Sequence, residues 1–185
     1  TPVAVNTPSG FFRDYFKKPT GISSFVQPPQ ISAGGPDHFV YTSVSENTSI
    51  KVQVIDYIES DFGASYEPRL LFENDKTVSD GNLGTPDKFE RPVSTLVTGD
   101  GTNFIFVVDE AKDSLYQFTV TGLEGVKPPP GAASTKYQMA SFGGRGDALT
   151  QFNKPTAVAY KNRILWVCDN GNGRVLRFKL TTDFQ

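Results

Sequence analysis

The chain has one cysteine, one histidine and one tryptophan in 185 residues. A lone Cys168 excludes an internal disulfide framework and any cysteine-rich metal site. A lone His38 excludes multi-histidine metal centres and makes a Ser-His-Asp triad depend on that one residue. No apolar run approaches the roughly 18 residues that cross a bilayer as a helix. Net charge is only −2, and the 18 lysines and arginines are spread along the sequence. Phosphate binding needs a clustered basic surface, so no nucleic acid partner is expected. The apolar recurrence of an amphipathic helix is missing throughout.

What the chain does have is 15 Phe and 7 Tyr beside 17 Gly and 13 Pro, a composition of short strands and many turns. A chain of this length fits one domain that buries about 70% of its unfolded surface. Phe25-Val26-Gln27-Pro28, Phe89-Glu90-Arg91-Pro92 and Phe152-Asn153-Lys154-Pro155 share the pattern F-x-x-P, starting 64 and 63 residues apart. After Pro92 come the apolar run 93–97, a turn at 98–103, and runs at 104–109 and 114–120. After Pro155 the same order recurs at 156–160, 161–163, 164–169 and 174–180. The first copy is worn: 30–33, a turn at 34–37, 38–44 and 49–58 keep the order but lose the aspartate. Phe16-Lys17-Lys18-Pro19 offers a competing start for it. A fourth segment closes the first two units, at 68–73 and 137–142.

Four short strands per repeated unit is the sequence form of a propeller blade. The expected fold is therefore all-β, a partial or open β-propeller of about three four-stranded antiparallel blades. Its units span approximately 25–88, 89–151 and 152–185, preceded by an extended N-terminal arm at 1–24. The third unit lacks a fourth strand, which residues 1–10 are placed to supply. An arc of three units leaves paired-strand edges open and invites association with a second copy, with another protein or with further blades of a longer chain.

Residues 143–178 resemble the NHL-repeat family of β-propellers. The resemblance rests on Gly143-Gly144-Arg145-Gly146-Asp147, Gln151-Phe152, Pro155, Val158-Ala159, Leu165-Trp166-Val167-Cys168-Asp169, Asn172, Arg174-Val175 and Phe178. Residues 89–118 are similar with weaker agreement: Asp109 matches the strand-ending aspartate, but Lys112-Asp113-Ser114 replace asparagine-x-arginine. The expected structural motif comprises Phe89, Pro92, Asp109, Gly143, Gly144, Gly146, Phe152, Pro155, Asp169 and Arg174. The glycines allow positive φ, Pro155 opens the innermost strand where a missing N–H is tolerated, and Asp169 is expected to bond amides of the 170–173 turn.

Little else in the chain points to chemistry. His38 follows Pro36-Asp37 at a turn-to-strand junction and is read as structural or solvent-facing. The acidic stretches 56–61 and 75–81 do not follow the order of a Ca²⁺ loop and read as solvated. Arg145-Gly146-Asp147 spells an adhesion tripeptide inside the glycine turn and reads as scaffold. Cys168 has no His or Lys beside it to lower its pKa and reads as a small buried apolar residue. Asn47-Thr48-Ser49 is a glycosylation sequon, meaningful only in a eukaryotic secretory system.

These readings converge on a non-catalytic, extracytoplasmic module that binds protein partners or itself as a subunit of a larger complex, with no catalytic residues, no cofactor and no metal. The opening TPVAVNTPSG looks processed, implying export to a periplasmic or extracellular site. Membrane contact would come through a lipid anchor or a membrane-complex partner. Expected partner contacts are Phe11, Phe12, Tyr15, Phe16 and Pro128, Pro129, Pro130. Two alternatives stand: a propeller enzyme, since the resembling propellers include amidating lyases and lactonase-type hydrolases with channel metals, and a sugar or peptide binder using Trp166, Tyr160 and Tyr41.

Overall fold

Runs of apolar and β-branched residues cut by Gly, Pro and Asn dictate short antiparallel strands joined in sequence order. In the computed structural model, residues 18–26, 38–44, 51–60, 63–68, 82–85, 87–100, 102, 104–120, 122–126, 128, 131–134 and 141–180 are described. They form three antiparallel sheets. The first contains β1 (Pro19–Val26), β2 (His38–Val44), β3 (Val52–Ser60) and β4 (Gly63–Pro68). The second contains β5 (Pro92–Val97), β6 (Phe104–Asp109), β7 (Ser114–Thr119) and the short β8 (Phe142–Gly143). The third contains β9 (Pro155–Lys161), β10 (Ile164–Asp169) and β11 (Arg174–Lys179). Each sheet is a meander, and the sheets are open, without closure into a ring. Among the described residues the helical content is one 3₁₀ turn, Asn170–Asn172.

The sheets stack face to face along their first strands, with β5 between β1 and β9. Val52 and Val54 of the first sheet pack with Phe89, Val97, Ile105, Val107 and Phe118. The other face of the second sheet offers Phe106, Val108 and Leu115 to Phe152, Leu165 and Val167, flanked by Val158, Tyr160, Leu176 and Phe178. Strand β6 is therefore apolar at every position from Phe104 to Val108 because it is covered on both sides. Serine hydroxyls tie neighbouring first strands: Val97 N–H donates to Ser23 Oγ at 3.1 Å and Val158 N–H to Ser94 Oγ at 3.3 Å.

The first sheet begins at Pro19, so β1 runs across the expected boundary between an arm ending at 24 and a unit starting at 25. The competing F-x-x-P is the one that matches the other units. In all three sheets a register irregularity follows the strand-opening proline, at Pro19/Gly21, Pro92/Ser94 and opposite Cys168/Asp169. The lysine before it is left-handed in two of them, Lys18 at φ 59° and Lys154 at φ 50°. Phe25-Val26 closes β1, and even spacing misled because the first unit carries a longer connection than its successors. The expected strand at 30–33 lies outside the described residues, as does 69–73; the fourth strand of the first sheet is 63–68 instead.

Phe152 is fully buried between the second and third sheets, with its ring against Phe142 and Phe178. Phe152→Ala is expected to cost about 3–5 kcal/mol, as phenylalanine truncation in a close-packed core does. Urea unfolding followed by circular dichroism measures it as a lowered midpoint.

Candidate functional site

Two features of the third sheet bear on function: the staple that sets its geometry, and the face it leaves uncovered. Asp169 ends β10 and is fully buried. It accepts from Asn153 N–H at 2.7 Å, Asn172 Nδ2 at 2.8 Å and Arg174 Nε at 2.8 Å. Burial alone would push its carboxyl up, but the Asn153 amide, Asn172 and the Arg174 guanidinium outweigh that and hold it below the ordinary carboxylate value. The expectation that Asp169 bonds amides of its own 170–173 turn is corrected: its backbone donor comes from the F-x-x-P segment, sixteen residues earlier. The 3₁₀ turn needs no help, since Gly173 in the left-handed region returns its N–H to Asn170 O.

Arg174 extends the staple. Its Nη1 donates to Asp147 O at 2.6 Å and its Nη2 to Ala148 O at 2.9 Å and Gln151 O at 3.1 Å. Asn172 Nδ2 donates to Gly146 O at 2.8 Å. The backbone of Arg145-Gly146-Asp147 is thus engaged in the scaffold, while the Arg145 and Asp147 side chains are exposed. Gly143 has φ +147°, and a Cβ there would lie 2.4 Å from Asp113 O, so the turn can approach β7 only as glycine.

The second unit solves the same problem without an arginine. Asp109, buried, accepts from Glu90 N–H at 2.6 Å, Arg91 N–H at 3.0 Å, Ala111 N–H at 3.0 Å and Lys112 N–H at 3.1 Å. Here the aspartate does serve its own turn as well as the F-x-x-P segment. Sequence reasoning missed Asp113, whose Oδ1 accepts from Lys154 N–H at 2.6 Å and so clasps the second unit to the third. The signal was an aspartate at the position of Gly173, where the backbone is left-handed in both units, at φ 49° and 60°.

The outer face of the third sheet is set by cross-strand rows. Trp166 stands between Ala159 and Arg177, Cys168 between Ala157 and Val175, and Ile164 between Lys161 and Lys179. On the second sheet the matching rows place Phe106 between Leu96 and Gln117 and Val108 between Ser94 and Leu115. There Phe106, Val108, Leu115 and Gln117 are all buried, whereas on the third sheet Ile164, Trp166 and Cys168 are half-buried and Val175 is 61% exposed. Cys168, expected to be buried, belongs to this face.

Tyr160 pairs with Leu165 and so lies on the opposite face from Trp166, packed towards the second sheet with its hydroxyl donating to the Asp100 carboxylate. The two rings cannot stack on one ligand; the Tyr41 side chain is outside the described residues. So are Phe11, Phe12, Tyr15, Phe16, Pro129 and Pro130, while Pro128 is half-buried. His38 opens β2. Among the described residues no three His, Cys, Asp or Glu gather as they would around a metal ion.

The fold and its staples define an open propeller of stacked antiparallel blades. Residues 152–178, from the buried Phe152 through Phe178, match the family model of the NHL repeat. No curated protein matches the chain.

Asp169→Asn is expected to destabilise the protein by on the order of 3 kcal/mol at neutral pH, because Arg174 and the Asn153 amide lose a charged acceptor. Since the folded carboxyl titrates below its unfolded value, its contribution is present above about pH 4 and disappears as pH falls through the folded value. Denaturant titrations across acid pH should show that loss in the wild type and a flatter profile in Asp169→Asn.

Proposed function

We propose that this chain is a non-catalytic, exported protein-binding or assembly module built on NHL-type blades. One observation carries the binding part. Strands β6 and β10 are equally apolar, FIFVV and ILWVC, yet β6 is covered on both faces and β10 on one. A tryptophan, an isoleucine, a cysteine and a valine on one open sheet face form the kind of apolar surface that soluble proteins reserve for contacts. Binding through that face asks nothing of catalytic groups. Location outside the cytoplasm, with attachment to membranes through an anchor or a membrane-complex partner, extends the sequence expectation.

Native sedimentation and cell fractionation test this reading. The chain should sediment in gently prepared extract well above its monomer mass and separate from cytosolic markers. Val175→Glu should return it to monomer mass. Sedimentation of the wild type as a monomer would remove the binding reading, and co-fractionation with cytosolic enzymes the location.

A further inference from the structure

Both Asn-Gly steps of the sequence, Asn170-Gly171 and Asn172-Gly173, fall in the turn that carries the Asp169 staple. Asparagine is chemically labile, and most of all before glycine, whose amide nitrogen has no Cβ beside it to hinder attack on the asparagine side-chain carbonyl. In that reaction hydroxide takes the glycine N–H proton and a bond forms from glycine N to asparagine Cγ. The Cγ–Nδ2 bond breaks, and the departing nitrogen takes a proton from water and leaves as ammonia. Water then opens the cyclic imide to aspartate or, with the backbone rerouted through the side chain, to isoaspartate.

The fold restrains both steps. Gly171 N–H donates to Asn153 O at 2.7 Å and Gly173 N–H to Asn170 O at 3.1 Å, so neither nitrogen is free to lose its proton. Gly171 also sits against Asn153 so closely that a Cβ on it would lie 2.5 Å from Asn153 Cγ. The Asn172 side chain is held twice, its Nδ2 donating to Gly146 O and to Asp169 Oδ2, both at 2.8 Å. Asn170 is exposed, and its side chain supplies none of the bonds to Asp169.

The two products would therefore differ in effect. Aspartate at 170 adds a charge in water. Aspartate at 172 puts an acceptor where a donor stood, facing Gly146 O and the buried Asp169 carboxylate, and sets one anion against another. We propose that Asn172 is a deamidation site gated by the staple. Closed, the turn is protected; opened, Asn172 converts and the turn cannot close again. The carbonyls that Asn172 and Arg174 hold, those of Gly146, Asp147, Ala148 and Gln151, are then released in one direction as the molecule ages.

The test incubates the full chain at mildly alkaline pH, in native buffer and in denaturing urea. The tryptic peptide 164–174, cut after Arg163 and Arg174, contains both steps, and fragmentation mass spectrometry assigns the modification to one asparagine or the other. Expected is conversion at Asn172 about a hundredfold slower in native buffer than in urea, because only the opened fraction reacts. In native buffer Arg174→Lys should convert roughly tenfold faster than the wild type, since lysine lacks the fork that reaches three carbonyls. Asn172→Asp should lower the urea midpoint or prevent folding, while Asn170→Asp keeps the wild-type midpoint. Native conversion as fast as in urea overturns the gate, and that comparison needs no variant; a folded Arg174→Lys that converts at the wild-type rate overturns it too. An Asn172→Asp midpoint equal to the wild type's overturns the one-way release.

Discussion

A β-sheet apolar on both faces cannot stand alone in water, and most of this molecule follows from that constraint. Burying a side chain such as Phe106 or Leu165 removes it from water at a gain of roughly 1.5–3 kcal/mol, but one sheet can shield only one face of its neighbour. The solution is a stack in which the middle sheet is core on both sides, and β6 shows it most plainly, sending Ile105 and Val107 one way and Phe106 and Val108 the other. The strand-end carboxylates serve this stack. Asp109 and Asp169 hold the segment that precedes their own sheet's first strand, so the buried phenylalanine at its start, Phe89 or Phe152, is presented to the contact.

Much of this was legible in the sequence because the signals are local. The F-x-x-P opening, the strand-ending aspartate nine residues before an aromatic, and the order of runs and turns after each proline all depend on a few neighbouring residues, and the sheets at 92–119 and 155–179 lie where those signals put them. The start of the first sheet was misplaced because two F-x-x-P segments sit nine residues apart. What distinguishes them is a backbone property, the irregularity after the proline and the left-handed residue before it, which letters do not display.

The candidate site was less legible, for a different reason. Cys168 read as core because its strand is apolar throughout, and a strand covered on one face has the same letters as one covered on both. Only the stacking order reveals that the third sheet has a neighbour on one side. The Asp113 clasp and the reach of Arg174 to Asp147 and Ala148 are likewise contacts between separate segments, set by how units meet.

The serine ties described above have a counterpart that is missing. First strands β1 and β5 offer Ser23 and Ser94 to the backbone of the next sheet, but β9 offers Ala157 and Ala159 to whatever lies beyond it. A contact made there rests on apolar burial and charge, with no hydroxyl bonding the two backbones. Apolar burial weakens on cooling and charge pairing weakens in salt. Each internal seam of the stack thus adds a serine bond between backbones to its apolar burial, whereas a contact on the outer face of the third sheet would weaken both on cooling and in salt.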